Sequence, residues 1–169
     1  KSQDIIEFAK PKDNDFWYNW FYIDRKVQKI VVDWNGKDIE IWNLHMEAFS
    51  QRTRFEQTMK LASLVSANKS MPKIVLGDFN SITFFDPDVT EKLKVDFRKR
   101  QQSVRYFREH SRLMNAEEME VKFCTIPSWQ PQRKIDHIFY SNQFRLDKVD
   151  AISLEASDHL PVWAIFNVD

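Results

Sequence analysis

Val31-Val-Asp-Trp-Asn35-Gly36-Lys-Asp-Ile-Glu-Ile-Trp42 decides how the chain folds. Asn35-Gly36 supplies two adjacent positions that tolerate positive φ, the requirement of a tight turn between antiparallel strands, and strand-like runs flank it on both sides. In the second strand, period-two alternation puts Ile39, Ile41, Asn43 and His45 on one face and Glu40, Trp42 and Leu44 on the other. His45 therefore ends an otherwise apolar stripe. Downstream, Phe55, Met59, Ala62 and Val65 recur every three or four residues, which predicts a helix over 54–67 with Thr53 and Glu56 as its capping box. Lys73-Ile-Val-Leu-Gly-Asp78 then reads as a fully buried strand. Strand, helix and strand in that order make a parallel crossover, and ligand chemistry in such units gathers beyond the carboxyl ends of the strands, where His45 and Asp78 both fall.

Two more strands are predicted at 133–140 and 161–167, with Pro161 tolerable only at a strand start. Between them and the crossover, residues 91–112 read as helical and basic, with eight Lys or Arg against three acids, a local excess of +5. Over the whole chain of 169 residues, 25 basic side chains balance 25 acidic ones, so no global field draws it to a polyanion. Length and composition fit one domain, 1–169, with 43% apolar residues to build a core. Gly36 and Gly77 are its two glycines, which excludes glycine-rich phosphate loops of the P-loop or dinucleotide type. Cys124 is the single cysteine, so neither an internal disulfide nor a multi-Cys zinc cluster can form. No apolar run approaches the roughly 20 residues that span a bilayer.

Four segments place a polar cluster at the end or in the middle of an apolar strand: Asn43-Leu-His45, Gly77-Asp78-Phe-Asn80, Ile135-Asp136-His137 and Ser157-Asp158-His159-Leu-Pro161. Asp and Asn oxygens suit a hard divalent cation and hydrogen bonds to phosphate, and a His backed by an Asp suits proton transfer near neutral pH. Together they point to metal-assisted attack of water on a phosphate ester. Each has a plainer alternative: a satisfied histidine at a strand end for His45, an Asx turn for Asp78 and Asn80, a surface pair for Asp158 and His159, and an ion pair of Asp136 with Lys134 or Arg133. His137 faces away from Asp136 and reads as core, and His110 as surface. Trp17, Tyr18, Trp20, Phe21 and Trp129 read as edge packing, and Cys124 as a small buried residue.

In this order and at these separations, the four motifs resemble the endonuclease/exonuclease/phosphatase superfamily, and Thr125-Ile-Pro-Ser-Trp129 resembles its approach to the third motif. The resemblance implies an α/β fold, a four-layer α/β/β/α sandwich of two mixed sheets with outer helices. It implies His159 as general base, Asp136 as the acceptor that orients it, Asp78 beside the scissile phosphate, and Asn80 and His45 as donors to phosphate oxygens. Asp158 would contribute to a Mg²⁺ or Mn²⁺ site, and Asn43 would do no more than hold the strand end. The substrate class would be a phosphate ester, whether nucleic acid, phospholipid or sugar phosphate. Relatives carry a metal-ligating Glu on earlier strands. Glu7 lacks the Gln that precedes that Glu, so the expectation is a fragment of a longer chain without those strands. The alternatives are a catalytically silent relative that keeps the pocket for binding, or a nucleic-acid-binding domain using 91–112.

Overall fold

A computed structural model describes residues 1–8, 10, 22–82, 84–85, 102–117 and 123–168. Its elements are β1 (Ser2–Glu7), β2 (Lys26–Trp34), β3 (Lys37–His45), α1 (Gln51–Ala67), β4 (Lys73–Asp78), β5 (Phe84–Phe85), α2 (Gln102–Ser111), β6 (Met114–Asn115), β7 (Arg133–Lys134), β8 (Asp136–Tyr140), β9 (Phe144–Ala151) and β10 (Val162–Val168). Six strands form one mixed sheet in the order β1-β2-β3-β4-β8-β6, while β9 pairs with β10 and β5 with β7.

The hairpin forms where the sequence puts it. Asn35 and Gly36 both take positive φ, at 53° and 82°, and β2 and β3 pair in register from Trp34 opposite Lys37 to Val27 opposite Leu44. β3 and β4 run parallel, joined by α1, so the crossover is as expected. Alternation along β3 gives the large sheet two apolar faces. Trp42 and Leu44 join Val75, Phe79 and Phe139 beneath Leu61 and Val65 of α1 and Val104 and Phe107 of α2. On the other face Ile39, Ile41 and Ile138 pack against Phe144, Val149, Val162 and Phe166 of the β9–β10 sheet. The layers are thus helix, sheet and sheet; a helical layer outside β9–β10 is not seen among the described residues.

Three expectations need correction. Helix α1 starts at Gln51, and its cap is Ser50, whose hydroxyl accepts from the Thr53 amide at 3.2 Å. Glu56 reaches Arg52 at 3.1 Å instead of closing a box with Thr53. The buried face is also rotated: Met59 is exposed and Phe55 half-buried, because Arg54, Gln57 and Thr58 turn inward. Arg54 donates to the carbonyls of Glu47 (2.7 Å) and Ala48 (3.0 Å), and Gln57 accepts from the Glu47 amide (2.9 Å), so polar residues with partners occupy positions that periodicity assigned to apolar ones. The strand expected over 133–140 breaks at Ile135, whose carbonyl is taken by the Phe79 amide at 3.0 Å. β1 and β9 were not foreseen as strands. In the basic segment, 91–101 lie outside the described residues; α2 covers the rest, burying Val104 and Phe107 and exposing Arg105 and Arg108.

Gly77 sits beside the end of β4 with φ at +133°, and a Cβ built on it would meet the Leu44 carbonyl oxygen at 2.0 Å. No other residue fits this close approach of β3 and β4. Gly77→Ala is expected to lower the urea-unfolding free energy by about 3 kcal/mol or more, at the upper end of single substitutions; an unchanged midpoint would contradict the geometry.

Candidate active site

Register alone brings three polar side chains into a row. His45 lies opposite Asp78 across the parallel β3–β4 pair, and Asp78 lies opposite Asp136 across the antiparallel β4–β8 pair. The fourth motif enters from the loop before β10. It is held there by segment 125–128: the Leu160 amide donates to the Thr125 carbonyl (2.8 Å), the Ser128 amide to the Asp158 carbonyl (2.9 Å) and the Ser128 hydroxyl to the Ser157 carbonyl (2.5 Å). The closest contact between the motifs is His159 Nδ1 to Asp136 Oδ2 at 2.9 Å.

Asp136 therefore pairs with neither Lys134 nor Arg133 through its carboxylate. Its Oδ2 also accepts from the Thr125 hydroxyl at 2.5 Å. Burial opposes its ionisation, but the hydrogen bonds from His159 and Thr125 prevail and hold it below the usual carboxylate range. In return, the hydrogen bond to Asp136 raises His159 above the ordinary imidazole value, against a smaller opposing effect of burial. Asp78 behaves oppositely: burial, then the nearby charge of Asp136, pushes it up to about 6.

Asn80 turns back on Asp78. With φ at 47°, its amide N–H donates to Asp78 Oδ1 (2.7 Å), and its side-chain Nδ2 donates to Asp78 Oδ2 (3.0 Å) and the Met46 carbonyl (2.9 Å). The Asx turn is present, and it fixes the orientation of the Asp78 carboxylate. His45 Nε2 stands 3.3 Å from Asp78 Oδ2. Burial, with Arg25 and His159 nearby, holds His45 below its ordinary value, which favours the neutral ring beside Asp78.

His45, Asp78, Asn80, Asp136 and His159 line one cavity of about 1030 Å³, together with Arg25, Asn43 and Asp158. One donor atom each from Asp78, Asp136 and His159 lie within 4.8 Å of one another. Carboxylate oxygens beside one imidazole suit a divalent cation that prefers oxygen. Asp158 is exposed on the cavity wall, outside that group of three. Glu7 pairs with Lys26 at 2.7 Å and is not among the residues that line the cavity. His137 is buried, His110 stacks on Tyr106, Trp129 is exposed and Cys124 is buried; Trp17, Tyr18, Trp20 and Phe21 lie outside the described residues. Thr125, Ser128 and Arg25 are contributors that the motifs did not reveal. For Thr125 and Ser128 the available signal was their place in the segment resembling the approach to the third motif.

The sequence profile of the Endonuclease/Exonuclease/phosphatase family matches residues 11–159. A search of curated proteins found no match. Among solved structures, the chain is similar to the mannosyl-6-phosphatase Bt3783 of Bacteroides thetaiotaomicron VPI-5482 (TM-score 0.70, 18% identity, 98% of this chain and 66% of that one). It is also similar to the human Nocturnin catalytic domain with bound sulfate anion (TM-score 0.70, 17%, 100% and 59%) and to D. rerio TDP2 complexed with single strand DNA product (TM-score 0.69, 15%, 99% and 68%). The chain thus spans about two thirds or less of the length of most of these structures, and at such identities the likeness shows the fold.

Three groups of the site make stability depend on pH in EDTA. Between the unfolded and folded values of Asp78, and likewise of His159, the folded chain binds the extra proton, so their contribution to stability rises as pH falls from 7 to about 5, while the lowered His45 contributes in the opposite sense. Asp78→Asn should flatten that dependence and stabilise the chain at pH 7 by up to about 3 kcal/mol. Urea midpoints at both pH values check this; an Asp78→Asn variant that is no more stable relative to wild type at pH 7 than at pH 5 would refute it.

Proposed function

The chain belongs to the endonuclease/exonuclease/phosphatase family, and on that premise we propose that it is a divalent-metal-dependent phosphoesterase that hydrolyses a phosphodiester or phosphomonoester by direct attack of water. The observation that carries the reading is the His159–Asp136 hydrogen bond at 2.9 Å beside Asp78, inside one cavity.

Asp136 accepts from His159 Nδ1, which fixes the ring and its tautomer and leaves Nε2 as the nitrogen that takes a proton from water. His159 acts in its neutral form, so the rate rises with pH through its titration. Asp78, locked by Asn80, positions the water or protonates the leaving oxygen, a role suited to a carboxyl held near 6. His45, and Asn80 through its side chain, donate to phosphoryl oxygens as negative charge develops there. Asp158, from the cavity wall, would contribute to holding Mg²⁺ or Mn²⁺, which when bound neutralises charge on the phosphate. The structural neighbours differ in what their descriptions say they act on or hold, so the reading stops at the phosphate ester.

With bis-p-nitrophenyl phosphate and Mg²⁺, the chain is expected to release nitrophenol, EDTA to stop it, and His159→Ala to lower kcat by about 10²- to 10⁴-fold. Hydrolysis by His159→Ala at the wild-type rate would remove His159 as the base. A folded wild type without activity would favour the silent binding module.

A further inference from the structure

Directly behind Asp136 lies a buried charged cluster that no step of the proposed reaction uses. The side chains of Lys134 and Glu117 are each only 4% exposed. Lys134 Nζ donates to the backbone carbonyl of Asp136 at 2.6 Å, stands 3.4 Å from Glu117 Oε1, and lies 4.1 Å from the centroid of the Phe123 ring. Glu117 Oε1 also accepts from the Ile138 amide at 3.2 Å, and its Oε2 lies 3.5 Å from His137 Nδ1. On the far side of that ring, His137 Nε2 lies 3.4 Å from the carbonyl of Ser81, the residue after Asn80.

The cluster thus bonds the backbone at the Asp136 carbonyl and at the Ile138 amide and reaches the loop that carries Asn80. It does so where the strand is interrupted, since Ile135 separates β7 from β8 just before Asp136. Burying a lysine and a glutamate is a poor route to stability, because apolar residues of similar volume generally serve as well. A buried pair does supply direction: an ammonium aimed at one carbonyl oxygen sets the orientation of that peptide unit. The carboxylate of Asp136 moves with its backbone, and a misplacement of about 1 Å at a reacting group can lower a rate by about 10²-fold.

We propose that Lys134 and Glu117 are positioning residues, which act through the Asp136 carbonyl to hold its carboxylate at hydrogen-bonding distance from His159 Nδ1. The consequence for catalysis rests on the phosphoesterase reading; the geometric claim does not. The test uses the chain labelled with ¹⁵N-histidine, in EDTA for NMR and in Mg²⁺ for kinetics on bis-p-nitrophenyl phosphate. Lys134→Met/Glu117→Gln removes both charges together, so neither is left buried alone. The hydrogen-bonded Nδ1 proton of His159, assigned by its loss in His159→Gln, is expected to be observed in wild type and to shift or disappear in the double variant. The kcat value is expected to fall about 10- to 100-fold with KM within about twofold. An unchanged Nδ1 proton and kcat, with only the melting temperature altered, would overturn the proposal. If wild type is inactive, the phosphoesterase reading fails and the Nδ1 proton alone decides the positioning claim. If the double variant does not fold, Glu117→Gln, which keeps an acceptor for the Ile138 amide, must show the same shift to a smaller degree, and an unshifted proton there counts against it.

Discussion

Like charges directly opposite each other on neighbouring strands destabilise a sheet, and this sheet places Asp78, at the end of β4, opposite Asp136, at the start of β8. The rest of the site follows from that placement. Asp136 stays ionised because His159 and Thr125 donate to it, and Asp78 responds by rising to about 6 while Asn80 and His45 approach its oxygens. Two chemically identical side chains are thereby driven to different protonation behaviour by their surroundings, which is how acid and base roles separate in a shared cavity. Gly77 makes the arrangement possible, since only a residue without a Cβ lets β4 come so close to the Leu44 carbonyl just before Asp78.

The dyad also joins two layers. Asp136 stands on the six-stranded sheet, whereas His159 arrives on the loop that leads into β10 of the smaller one. What keeps them together is the apolar packing of Ile39, Ile138 and Tyr140 against Phe144, Val149 and Phe166, with the tethers from Thr125 and Ser128 at the loop itself. Core packing and site geometry are therefore one problem in this chain. Loosening the interface between the sheets would separate the base from the carboxylate that orients it without altering either residue.

Much of this was legible in the sequence because it depends on local rules. Asn35-Gly36 specifies its turn by backbone sterics, alternation along β3 predicts both faces of the sheet, and the apolar run 73–78 marks the strand that delivers Asp78. The errors lie where tertiary partners override pattern. Arg54 and Thr58 displaced Phe55 and Met59 from the buried face of α1 because the carbonyls of Glu47 and Ala48 required a donor. The break at Ile135 marks a change of partner, from β5 beside β7 to β4 beside β8, both over forty residues away in sequence. At the site, the residues with chemical side chains in the motifs were visible as such, with Asp158 placed at the wall and outside the closest group. Glu117 was not, and Lys134, expected as an ion-pair partner of the Asp136 carboxylate, meets its backbone carbonyl instead, since no spacing announces which acceptor a buried ammonium will find.

The central claim is that these side chains form one site for a cation and a phosphoryl group. It is tested most directly by titrating the chain with Mn²⁺ and following free ion by electron paramagnetic resonance, with and without inorganic phosphate. The account predicts a bound Mn²⁺ that is lost in Asp78→Asn/Asp158→Asn and that tightens in the presence of phosphate. Equal Mn²⁺ binding by wild type and the double variant, or no binding by a folded wild type, would contradict it.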